Sequence, residues 1–146
     1  LPPAHLLRLV CDTAPDYAAA LAMLRDTPLA AGAIFSLAGI KPGEAAVIER
    51  AEASHAVIHA APIAAAANGW QGIANPGAPR WRYSAERHAA MAVLLAGPVP
   101  RDFGWLKPPI ANEGSRLATM MSPATGRLEL LGMEGGVAVT QPLYLN

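Results

Sequence analysis

Apolar residues recur along this chain with two different periods, and the change of period marks where helices give way to strands. Near the start, residues 4–11 carry Leu6, Leu7 and Val10 at helical spacing and predict a short helix. Asp12-Thr13-Ala14-Pro15 reads as a second helix start, with a capping side chain followed by a first-turn proline. From Pro15 to Arg25, Tyr17, Leu21 and Leu24 fall at i, i+4 and i+7, which predicts an amphipathic helix ended by Thr27-Pro28. Past that point the rhythm shortens. Residues 33–38 predict a strand, Lys41-Pro42-Gly43-Glu44 a turn and residues 45–50 the returning arm of a hairpin. Residues 54–60 suit a third strand, although their alanines also suit a helix.

The second half repeats the change in the same order, after an irregular stretch. Asn68-Gly69-Trp70-Gln71-Gly72 forms a glycine-flanked loop, and Gly72, Pro76, Gly77 and Pro79 make residues 72–82 an irregular connection. Ser84 is placed to cap a helix running to Ala96, with Met91, Leu94 and Leu95 facing a core. Gly97, Pro98, Pro100, Gly104, Pro108 and Pro109 then impose loop. Leu117–Met121 and Arg127–Leu131 form a hairpin across a turn at residues 122–126, and residues 137–140 form a last short strand. Helices and antiparallel hairpins are grouped rather than alternating, so the expected class is α+β, and 146 residues predict one domain over 1–146.

Composition changes this picture only a little. Hydrophobic residues make up 53%, which excludes disorder, and their alanine share predicts a core of small side chains. Eleven basic residues balance eleven acidic ones. That balance argues against nucleic acid as a partner and, by weakening repulsion between copies, favours a homo-oligomer. No apolar run approaches the ~20 residues of a membrane span. Cys11 stands alone, so no internal disulfide forms and the compartment, cytoplasmic or periplasmic, stays open. The first residues show no signal-peptide pattern.

Five segments in one order resemble the acid ceramidase and N-acylethanolamine acid amidase family of N-terminal-nucleophile hydrolases. They are Thr27-Pro28-Leu29-Ala30; Gly39-Ile-Lys-Pro-Gly-Glu-Ala-Ala-Val-Ile-Glu-Arg50, the most specific; Asn68-Gly69-Trp70; Ser84-Ala-Glu-Arg87-His-Ala-Ala-Met91; and Pro109-Ile110-Ala111-Asn112 leading into Leu117–Met121 and the Gly126 turn. The resemblance implies a four-layer αββα sandwich that cleaves N-acyl amides without a cofactor. It also implies a nucleophile on an N-terminal Cys, whose own α-amine takes the proton. This chain departs from that pattern. Leu1 has no nucleophilic atom, and Cys11 matches no nucleophile position. The chain is therefore expected to be the C-terminal portion of such an enzyme, inactive alone and dependent on an upstream nucleophile-bearing segment. The alternative is a non-catalytic domain that kept the fold and lost the chemistry.

Each candidate residue has two readings. The resemblance gives Asn68 the role of amide donor to the developing oxyanion, worth ~3 kcal/mol in the transition state; Asn before Gly is also an ordinary turn pair. Arg87 lies in the first turn of a helix, where a cation opposes the dipole by ~0.3–1 kcal/mol. It either holds a catalytic carboxylate, a carbonyl or a loop, or pairs with Glu86 or Asp102 or is simply solvated. Trp70 walls an acyl pocket, packs in the core, or does both. Gly69 stands where the family carries a larger residue, which weakens its case as a substrate contact. His55 and His59, on a strand, lie ~13 Å apart and cannot share an ion, so no metal is expected. His88 reads as a core or rim histidine. Arg80-Trp81-Arg82-Tyr83 interleaves bases and aromatics, but a single run on a neutral chain reads as loop packing. Gly39–Gly43 lacks the Gly-Lys-Ser/Thr ending of a phosphate loop.

Overall fold

A computed structural model describes residues 1–74, 82–98 and 100–145. The chain is α+β, with two antiparallel sheets, and it divides into two compact units, Leu1–Ser84 and Ala85–Asn146. The Pro76–Pro79 connection and the Arg80-Trp81 half of the aromatic-basic run lie outside the described residues.

The first unit holds α1 (Pro3–Thr13), α2 (Tyr17–Asp26), β1 (Ala33–Ala38), β2 (Ala45–Arg50) and β3 (His55–His59). Pairing with β2 settles the alanine-rich 54–60 segment as a strand. The sheet order is β1-β2-β3, and the β1–β2 register runs from Ala33 opposite Arg50 to Ala38 opposite Ala45. A type II turn joins them: the Glu44 N–H donates to the Lys41 carbonyl (3.1 Å), and Gly43 takes φ +84° at the position that requires it. Both helices cover one face of the sheet. Leu6, Val10, Ala20, Leu24, Phe35, Ala46 and Ile48 form the core between them.

Two sequence expectations shift here. Leu7 does not join Leu6 and Val10; it is 46% exposed, because one residue further on rotates the side chain away from the i, i+4 stripe. The cap of α2 is Asp16, which accepts from the Ala19 N–H (2.8 Å), not Asp12. Residues 12 and 13 finish α1 instead. There Asp12 pairs with Arg8 one turn back (2.7 Å) and the Thr13 hydroxyl donates to the Leu9 carbonyl (2.7 Å).

The second unit holds most of α3 (Ser84–Ala96), a 3-10 turn at Phe103–Trp105, β4 (Leu117–Ser122), β5 (Arg127–Glu134), β6 (Val137–Ala138) and β7 (Leu143–Leu145). Strand β5 is central, paired with β4 on one side and with β6 and β7 on the other. It runs three residues beyond the predicted Leu131, while the predicted 137–140 strand closes at Ala138. The β4–β5 turn is made by Gly126 at φ +71° and a Thr125 N–H to Ser122 carbonyl bond (3.1 Å). Ala111, Ala118, Leu131 and Met133 make a small core, with Phe103 and Leu106 against it.

Leu24 is 1% exposed, so Leu24→Ala is expected to lower the unfolding free energy of the first unit by about 3 kcal/mol, whereas Leu7→Ala costs well under 1 kcal/mol. Urea unfolding followed by circular dichroism measures both. A second expectation concerns pH. Burial, and next the Glu44 carboxylate, push the Tyr17 phenol above its ordinary value of 10.0, and its hydroxyl is buried with no hydrogen-bond partner among the described residues. The fold favours the neutral phenol, so this stabilisation is complete below pH 10 and is lost as pH climbs towards the raised value. Tyr17→Phe should flatten the alkaline fall in stability while leaving stability at pH 7 nearly unchanged.

Candidate functional site

The loop that carries Asn68 is fixed by a strand residue nearly twenty positions earlier. Successive residues of β2 face opposite sides of the sheet, so Ala46, Ile48 and Arg50 face the helices while Val47 and Glu49 face the other way. Glu49 is 0% exposed. Its carboxylate accepts three consecutive backbone N–H groups, from Gln71 (2.7 Å), Gly72 (2.8 Å) and Ile73 (3.0 Å). A buried charge without such partners costs several kcal/mol, and a carboxylate receiving three amides meets most of that cost. The strand thus grips the chain immediately after Asn68-Gly69-Trp70.

Two glycines let this loop lie close. A Cβ on Gly72 would come within 2.6 Å of the Ala56 Cβ on β3, so only glycine brings the amides down to Glu49 without moving the strand. A Cβ on Gly32 would meet the Trp70 ring at 3.2 Å and the Arg50 carbonyl at 3.3 Å; the indole therefore lies on the backbone just before β1. For Trp70, packing is what the structure displays. Gly69 sits close to the buried Ser84, 3.3 Å from a Cβ built on it, so a larger residue there needs Ser84 to give way slightly.

Neither Asn68 nor Gly69 adopts a left-handed backbone, the conformation that makes Asn-Gly a frequent turn pair. The chain bends at both residues without it. The Asn68 side chain lies at the surface of the first unit. Arg87 is half-buried on α3 within the second unit, and His88 beside it is also half-buried. The structure brings Asn68, Gly69 and Trp70 together in one gripped loop, and Arg87 belongs to the other unit.

Arg50, the neighbour of Glu49, does the matching task on the opposite face. It is 7% exposed and donates to the Leu24 and Thr27 carbonyls (2.9 Å for Thr27) at the C-terminal end of α2. A cation at that end also complements the helix dipole. Sequence reasoning placed Glu49 and Arg50 on the returning strand and gave neither a role of its own. The available signal was the unbroken apolar Ala-Ala-Val-Ile run that both continue, since such a run marks a strand covered on both faces.

Cys11 is exposed on α1. His55 and His59 are exposed at the two ends of β3, and no group of three or more His, Cys, Asp or Glu among the described residues could hold a metal ion. Among those residues, too, no helix is long and apolar enough to cross a membrane. Comparison with known protein families, with curated proteins and with solved structures found no match.

Replacing Glu49 with Gln keeps the shape but removes the charge and turns one acceptor into a donor. Losing one charge-assisted bond of about 1.5–3 kcal/mol should speed amide hydrogen exchange at Gln71, Gly72 and Ile73 by about tenfold or more, with Val47 and Ile48 still protected. Unaltered exchange at those three amides would mean that Glu49 does not hold the loop.

Proposed function

We propose that this chain is the C-terminal portion of an N-terminal-nucleophile amide hydrolase or acyltransferase, acting on small N-acyl amides. In this reading Asn68 is the oxyanion donor and Arg87 is a positioning cation. The observation that carries the proposal is the Glu49 grip on the loop behind Asn68. An oxyanion donor gains its advantage from being held in place before charge develops, and a loop tied by three bonds to a buried carboxylate meets that demand.

Two further features fit a chain whose complete fold contains more strands, as an αββα sandwich requires. Strands β1 and β3 each pair on one side only among the described residues, leaving open edges. In the second unit, the register sets Leu117 and Met121 of β4 and Leu143 and Leu145 of β7 on one face of the sheet, and all four are exposed. In this reading the nucleophile is carried by another segment or chain, and Cys11, exposed on α1, is not it.

The test is amide hydrolysis by the parent polypeptide, or by this chain supplied with the nucleophile-bearing segment, across N-acyl amides of graded chain length. Asn68→Ala should lower kcat by about 10²–10³-fold with a smaller change in KM, because the lost bond forms fully only in the transition state. An Asn68→Ala enzyme with undiminished kcat would remove Asn68 from the mechanism.

A further inference from the structure

The second unit contains a cleft of about 280 Å³ between α3, the 3-10 turn and the β4–β5 hairpin. Its walls are apolar: Met91, Leu94 and Leu95 come from the helix, and Trp105 and Met120 close the other side. One end is polar. Ser122 and Arg127 are cross-strand partners there, next to the hairpin turn.

The charge at that end is already balanced. Arg127 forms an ion pair with Glu129, two residues along on the same face of β5, and Glu129 is 1% exposed. The same Nη2 reaches the Arg101 carbonyl (3.4 Å). Arg127 itself is half exposed, and a guanidinium carries five donors, so Nε and Nη1 remain for a ligand. A second donor waits in the wall. The Trp105 indole N–H rests on the Met120 thioether sulfur at 3.4 Å, an acceptor much weaker than a carbonyl oxygen. The cleft therefore offers hydrogen-bond donors, aliphatic walls and no net charge.

We propose that this cleft binds an uncharged aliphatic molecule ending in a hydrogen-bond acceptor of the carbonyl class. The tail lies along Leu94, Leu95 and Met91, and the oxygen accepts from Arg127 and from the Trp105 indole. A carboxylate head suits the cleft less well, because the buried Glu129 charge lies directly behind the guanidinium and opposes it. This inference concerns the second unit alone and stands apart from the role given to Asn68.

The experiment titrates the intact chain with octan-2-one, octanoate and octylammonium while following the Trp105 indole N–H resonance, assigned through Trp105→Phe. Octan-2-one should shift that resonance as its oxygen displaces the sulfur, and octanoate and octylammonium should bind about tenfold more weakly or not at all. The double variant Arg127→Leu/Glu129→Leu removes both charges together, which folded proteins tolerate far better than removal of one. It should keep the fold by circular dichroism and bind octan-2-one about tenfold more weakly. Octanoate binding as tightly as the ketone overturns the proposal. So does a Trp105 resonance that ignores all three compounds, one that moves with protein concentration alone because a second copy fills the cleft, or a double variant with unchanged ketone affinity.

Discussion

The first unit depends on a charge kept away from water. Glu49 has no solvent exposure, and the three amides of residues 71–73 make that burial tolerable. The loop supplies those amides because Gly72 can press against Ala56, and Trp70 can lie on Gly32, without a side chain intervening. Remove the amides and the carboxylate must reach water, which exposes the face of β2 that carries Val47. Sheet and loop are in this sense one object, and the strand holds the chain from three residues beyond Asn68.

Much of the fold was legible in the sequence because its signals were local. Short apolar runs on either side of glycine-containing turns announced β1, β2 and the β4–β5 hairpin, and Pro42-Gly43 specified the turn geometry that Gly43 adopts. Misreadings occurred where a local signal had two owners. Asp12 looks like a cap, yet Arg8 one turn earlier claims its carboxylate, and Asp16 takes the capping position. Strand β7 escaped notice for another reason. Its three residues carry no periodic signal of their own and become a strand through pairing with Leu128–Leu130.

The candidate site was legible in part. The Asn68-Gly69-Trp70 loop stood out as a motif, but the clamp behind it joins residues 22 to 24 positions apart, a relation that periodicity does not encode. In the second unit the same limit applies. Met91, Leu94 and Leu95 read as core-facing in the sequence, but they are half-buried and join neither core; they line a cleft whose opposite wall is set by Trp105 and Met120. The buried Glu129 follows the phase of Leu131 and Met133, so alternation foretold its burial while giving no reason for a charge there.

Glu49 and Arg50 are adjacent, and their hydrogen-bonding tasks have opposite polarity on opposite faces of one strand. A slip of β2 by a single residue would turn each of them to the opposite face. Slipped one way, the carboxylate would confront the carbonyls that end α2; slipped the other way, the guanidinium would confront amide hydrogens, and either encounter repels. An all-apolar strand of this length could settle one step out of alignment at little loss. This dipeptide makes the chain reject odd displacements and works as a parity check on how the central strand seats between its neighbours.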